Sequence, residues 1–202
     1  MQARALVIFY PECIEYEIML AAQLAHEHLP IDLATPDGSD LQGTSGLVFR
    51  ATHSYADLQP DDYQLILIPG GDPKAVMNNK KLDWVLKTAS EAGATLGAIC
   101  AGPLLLAKAG ILKGKHFTHG YNSLDQDFSS PYWEGGNFED QMVVVDGNIV
   151  TAKPEAHIDF AVELLYAAGL RANFAVEFLH NAGRLANRSE LEAVKAFYKD
   201  MM

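Results

Sequence analysis

Thr95-Leu96-Gly97-Ala98-Ile99-Cys100-Ala101-Gly102-Pro103 ends a short apolar run and opens a helix with almost no connecting residues. Leu65-Ile66-Leu67-Ile68 is a second such run, and it stops at Pro69-Gly70-Gly71. Ala5 to Tyr10, Ile31 to Ala34 and Leu47 to Arg50 read as further strands, short and rich in β-branched residues. Between them lie stretches with helical spacing. Residues 14–28 carry Ile14, Ile18, Ala21, Ala22, Ala25 and Leu29 on one stripe, and 82–92, 101–109 and 155–168 each close near a glycine. Met142 to Val145 and Asn148 to Thr151 flank Asp146-Gly147, a hairpin signal. Near-continuous apolar strands alternating with helices predict an α/β three-layer sandwich: a mostly parallel sheet with helices on both faces and one antiparallel hairpin. The longer loops are expected at 38–46 and 125–136.

With 202 residues, 49% of them hydrophobic, the chain is read as one domain over 1–202. A net charge of −11 disfavours phosphate backbones as partners. The only cysteines, Cys13 and Cys100, suggest neither a disulfide framework nor a zinc site. The apolar run after Arg4 is cut by Pro11-Glu12, too early for a secretory leader. No stretch has the length of a membrane span. The expectation is a cytoplasmic protein that binds neither membrane nor nucleic acid, with no metal and no cofactor.

Ligands of parallel α/β sheets bind outside the carboxyl ends of the strands, which singles out the segments after Ile68 and Ile99. So sharp a strand-to-helix turn crowds the residues two before and two after its apex, here Ala98 and Gly102, both small. This is a nucleophile elbow with cysteine at the apex. A helix N-terminus beside the sulfur would favour the thiolate, so Cys100 is expected to titrate below the roughly 8.5 of a free thiol. Gly70-Gly71 lets backbone N–H groups approach a ligand and complete an oxyanion hole. It lacks the Gly-Lys-Ser/Thr ending of a phosphate loop.

Ala5 to Ile8, Leu67-Ile68-Pro69-Gly70-Gly71, Ala98 to Pro103, Phe117-Thr118-His119 and Val145 to Thr151 together resemble the ThiJ/PfpI superfamily, over residues 3–170. The branch most similar is the one containing the Parkinson-disease protein. The resemblance implies a flavodoxin-like, class I glutamine-amidotransferase-like fold and an intracellular homodimer acting on a small molecule. It implies a reactive Cys100 hydrogen-bonded by an acidic side chain from the first helix. Gapless counting from the first strand gives Glu17, with Glu15 as runner-up. The oxyanion donors map to the backbone of Gly71 and Ala101, and the family's nearby histidine to His119. Two departures stand out. Ala101 occupies the position where the protease-like branch has its base histidine, and the segment after Thr151, Ala152-Lys153-Pro154-Glu155-Ala156-His157, lacks the family's Arg-Gly-Pro. Residues 171–202 form a helical extension beyond the family's usual end.

His157-Ile158-Asp159 lies in a helical stretch past the last strand and reads as a surface or core histidine. Cys13, Trp84 and Trp133 read as packing residues. Two functions follow. One is a cysteine-dependent enzyme, a hydrolase or lyase, attacking a small electrophilic carbonyl in glyoxalase-, deglycase- or amidase-like chemistry. The other is a redox-responsive stress sensor or chaperone working through oxidation of Cys100.

Overall fold

The computed structural model describes residues 3–121, 126–172, 176, 177 and 180; most of the helical extension expected over 171–202 lies outside them. Strand β1 (Arg4–Ile8) leads through helix α1 (Tyr16–His26) to β2 (Ile31–Thr35), and β3 (His53–Ser54) is a two-residue edge. Then come β4 (Tyr63–Ile68), α2 (Lys80–Glu91), β5 (Thr95–Ile99) and α3 (Pro103–Lys108). The hairpin β6 (Val143–Asp146) and β7 (Ile149–Ala152) precedes α4 (His157–Ala167).

These strands form one seven-stranded sheet in the order β6-β7-β5-β4-β1-β2-β3. All neighbours are parallel except β6 and β7. Central β4 and β5 are buried on both faces, which is why they read as unbroken apolar runs. Helices α1 and α4 pack together on one side of the sheet and α2 and α3 on the other. Ile18, Ala21, Leu24 and Ala25 form the buried stripe of α1. Helix α2 starts where the Asn79 side chain accepts the Leu82 N–H at 3.0 Å, an N-cap.

Three local expectations change. Val48–Phe49 does not join the main sheet but pairs with Leu41–Gln42 in a separate antiparallel ribbon, so residues 38–46 are not a plain loop. The edge position beside β2 is taken instead by β3, whose His53 and Ser54 pair with Ala34 and Thr35. Residues 126–132 turn helically within the expected loop. Trp84 is 46% exposed with the Lys81 ammonium 3.9 Å above its ring, a surface cation–π pair rather than a core anchor.

Helix α4 approaches β5 closely because position 97 has no side chain. A Cβ there would stand 2.5 Å from Leu164 Cδ2 and 2.9 Å from Phe160 Cζ, both buried. Gly97→Val should therefore lower unfolding free energy by about 1–3 kcal/mol through overpacking. Urea denaturation checks this: an unchanged midpoint would mean that α4 can lift away without cost.

Candidate active site

Because β4 and β5 are parallel neighbours, their carboxyl ends deliver Gly70-Gly71 and Cys100 to the same edge of the sheet. Cys100 takes φ +61°, a left-handed conformation that non-glycine residues rarely adopt. Its N–H donates to the Ala152 carbonyl at 2.9 Å, and its own carbonyl accepts the Gly120 N–H at 2.7 Å. Gly102 sits under the bend, where a Cβ would be 2.8 Å from the carbonyl oxygens of Ile68 and Pro69. The elbow is thus held in its strained form from three sides.

A second left-handed residue, Glu12 at φ +64°, turns the chain after β1. The turn lays Cys13–Ile14 antiparallel against Gly70–Gly71. From there α1 begins, and its first turn presents Glu17. Glu17 is buried, and its Oε2 accepts the Gly70 N–H at 2.8 Å. The same carboxyl group is hydrogen-bonded to Cys100. Gly70 is the contact point, since a Cβ there would lie 2.4 Å from Cys100 Cβ, 2.7 Å from its Sγ and 2.6 Å from Glu17 Oε2. The buried Tyr10 hydroxyl donates across the Pro69 and Gly70 carbonyls, at 2.7 and 2.9 Å, and fixes the loop from beneath.

Glu15 goes elsewhere. Its Oε2 accepts from the Thr44 N–H and hydroxyl at 3.0 and 2.9 Å, and its Oε1 from the Ser45 N–H at 2.8 Å. Burial raises its pKa, but the bonds from Ser45, its own backbone and Thr44 outweigh burial and hold it at about 2. Two residues apart on one turn, the carboxylates face opposite neighbours.

The N–H groups of Gly71 and Ala101 are bonded to the Cys100 side chain and pull its pKa down. They do not prevail. Burial, then the charge and hydrogen bond of Glu17, push the thiol up to about 12, against the depressed value expected from the sequence. The physical reason is twofold. Helix α3 starts only at Pro103 and has six residues, so its dipole is small, and a carboxyl group shares the site. Burial also raises Glu17. Two acids in one desolvated place hold one proton between them, and removing that last proton is what becomes difficult.

His119 neighbours Gly120 and so lies beside the elbow. Its ring is stacked on both Trp133 and Phe138, each at 4.6 Å between centroids. Its Nδ1 accepts the Tyr121 N–H at 3.1 Å, which leaves the proton of the neutral ring on Nε2. Burial lowers its pKa, against a smaller opposing effect of its own carbonyl, and the Lys153 charge lowers it further. In this state His119 is a hydrogen-bond donor, not a base. Cys13 is fully buried, and burial raises its thiol to about 11. Among the described residues no three His, Cys, Asp or Glu side chains converge as a metal site. No helix among them is long and apolar enough to cross a membrane.

The sequence reading missed four participants. Gly70 was read for backbone approach to a ligand, whereas its N–H, bonded to Glu17 Oε2, and its lack of a Cβ are what bring Glu17 and Cys100 together. Tyr10 was hidden in the first apolar run. Trp133 and Phe138 are distant in sequence from His119.

The DJ-1/PfpI family model matches residues 3–167, and the chain belongs to that family. An uncharacterised protein of Methanocaldococcus jannaschii is 32% identical over 170 residues, covering 82% of each chain. A deglycase of Thermococcus kodakarensis is 31% identical over 114 residues, 56% of this chain and 66% of that one. The crystal structure of a DJ-1 superfamily protein from Agrobacterium tumefaciens superposes with a TM-score of 0.77 at 27% identity, covering 90% of this chain and all (100%) of the other.

Glu15 gives the site a pH signature of its own. Its folded pKa, about 2, lies below the ordinary 4.5, so the stability it contributes is present above pH 4.5 and lost as pH falls toward 2. Glu15→Gln should cost about 2 kcal/mol at neutral pH, with the difference from wild type closing below roughly pH 4. Thermal melts across pH check it; a constant difference at all pH values would deny the carboxylate this role.

Proposed function

We propose that the protein is a cysteine-dependent enzyme in which Cys100 adds to a small electrophilic carbonyl, an α-oxoaldehyde or its adducts being the substrate class. The observation that carries the reading is the Glu17–Cys100 pair: one proton, two acids, and backbone N–H groups on the sulfur. With the proton on Glu17, the sulfur is a thiolate already held by Gly71 and Ala101. Addition to the aldehyde carbon forms an S–C bond, and the proton of Glu17 passes to the new alkoxide. The same N–H groups and the Nε2–H of His119 are the available donors to substrate oxygen. The Glu17 carboxylate then takes the proton from the former aldehyde carbon and returns it to the adjacent carbon. The hydroxyl proton moves to the neighbouring oxygen, leaving a thioester. Water releases the 2-hydroxy acid and restores the shared proton. No external oxidant or reductant is consumed. Relatives named deglycase support the carbonyl class, and Ala101 offers no base of the kind a peptidase branch would use.

A second reading, oxidation of Cys100 as a stress signal or a switch for chaperone action, is favoured by the same pair. A protonated Glu17 would donate to a sulfinate oxygen. Turnover separates the two. Purified protein should convert α-oxoaldehydes, and Cys100→Ser should lose at least about a hundredfold in kcat/KM, as removal of a nucleophile does. Glu17→Gln should fall comparably. Wild-type protein that turns over no aldehyde, amide, peptide or isonitrile, but whose Cys100 oxidises faster than a free thiol, would transfer the function to the redox reading.

A homodimer is the second part of the proposal. Tyr16, Leu47 and Val48 are 58%, 63% and 68% exposed. The Glu15 bonds to Thr44 and Ser45 hold the segments that carry these exposed apolar side chains beside one another. Sedimentation at micromolar concentration should give twice the 22.1 kDa chain mass, and Val48→Asp should shift it toward the monomer; a wild-type monomer would remove this part.

A further inference from the structure

We propose that Trp133 and Phe138 are positioning residues that act through His119, bracing its imidazole so that the Nε2–H is held as a fixed donor beside the Cys100 elbow. The rings meet face-on. His119 is 4.6 Å from Trp133 at an interplanar angle of 21°, and 4.6 Å from Phe138 at 29°. With its faces taken up by packing, the imidazole has its edge left to act. On that edge Nδ1 is committed, because it accepts the Tyr121 N–H at 3.1 Å. That N–H belongs to the Gly120–Tyr121 peptide, so the ring is tied back to the residue after its own. Gly120 is in turn pressed against the elbow. Its N–H donates to the Cys100 carbonyl at 2.7 Å, and a Cβ on it would stand 3.0 Å from Cys100 Cα. Brace, imidazole and elbow form one unbroken series of contacts.

One tight turn builds the brace, and one buried ring supports it. Gly135 takes φ +82°, and the Gly136 N–H closes on the Trp133 carbonyl at 3.1 Å. The turn lays Asn137–Phe138 alongside His116–Phe117. Phe117 is fully buried; it stacks on Trp133 at 5.3 Å and meets Phe138 edge-on at 6.0 Å. Gly136 permits the close approach, since a Cβ there would lie 2.7 Å from Phe117 Cε1. Both bracing rings thus rest on the same neighbour, in geometries that aromatic pairs favour. The consequence is chemical. A donor stabilises developing charge best when it is aimed before the charge forms. The N–H groups of Gly71 and Ala101 are aimed by the backbone. An imidazole can rotate and can change tautomer, so packing has to do the same for it. Burial keeps this ring neutral, and the Lys153 charge adds to that effect. Tyr121, 5.9 Å away between centroids, and Lys153 are titratable side chains beside it.

Only the kinetic part of the test rests on the carbonyl chemistry proposed above; the state of the ring is read without substrate. ¹⁵N NMR of the full chain at about pH 8, where the imidazole is neutral, measures the separation between the His119 Nδ1 and Nε2 resonances. It is widest for one fixed tautomer and narrows as tautomers exchange. Methylglyoxal is the probe for kcat/KM. Phe138 is 50% exposed, so its ring can be removed with little loss of core. Phe138→Ala should narrow the separation and lower kcat/KM about tenfold, as misaimed groups do. Phe138→Tyr, which keeps the flat ring, should restore both. Trp84→Ala, at an exposed aromatic outside the cluster, should match wild type. Unchanged nitrogen shifts in Phe138→Ala would overturn the proposal, as would a narrowed separation with unchanged kcat/KM. Should Phe138→Ala fail to fold, Phe138→Leu keeps apolar bulk without a flat face and carries the same test. Wild-type protein that leaves methylglyoxal unconverted would remove the proposed function instead, and the nitrogen shifts would still decide whether the brace holds the ring.

Discussion

The site depends on a missing methyl group. Position 70 lies between a thiol and a carboxyl group that must come within hydrogen-bonding distance, and any Cβ there would overlap both. The strand before it is fixed by the sheet, and the elbow is fixed by Gly102 and Gly120. Cys100, Glu17 and the loop therefore have little freedom to relax. The approach also decides the electrostatics. Separated by another side chain and water, the two acids would titrate near their ordinary values; pressed together out of water, they hold a proton in common.

The strain in the region is concentrated in two residues, Glu12 and Cys100, the only described non-glycine residues with left-handed backbone. Both adjoin the Cys13–Ile14 and Gly70–Gly71 ribbon, Glu12 at Gly71 and Cys100 at Gly70. One turns the chain so that α1 begins with Glu17 facing inward, and the other lifts the sulfur toward it. Such conformations cost of order 1–3 kcal/mol each and persist only where surrounding bonds over-determine them. Here those bonds include Asp72 N–H to the Glu12 carbonyl at 3.1 Å and Gly120 N–H to the Cys100 carbonyl at 2.7 Å.

Much of this was legible in the residues. The central strands announced themselves because strands buried on both faces are apolar throughout, and the elbow did so through Ala98 and Gly102. Gapless counting from the first strand picked Glu17, because a rigid strand and turn leave no slack in the register. The Leu47–Arg50 strand was misplaced because a two-residue ribbon and a sheet edge carry the same local pattern. The thiol pKa was misjudged because a helix dipole can be read from sequence and desolvation cannot.

Both margins of the sheet are blunt. β3 offers two residues, and β6 is a four-residue strand whose last carboxylate, Asp146, is already bonded by the His116 N–H and the Lys115 ammonium, each at 2.9 Å. Margins this short offer an intruding strand only a few backbone groups. The chain is thereby protected against growth by sheet extension, the route that leads to open-ended fibres. Any contact between copies would then fall to side-chain surfaces, away from the strand ends where Cys100 lies.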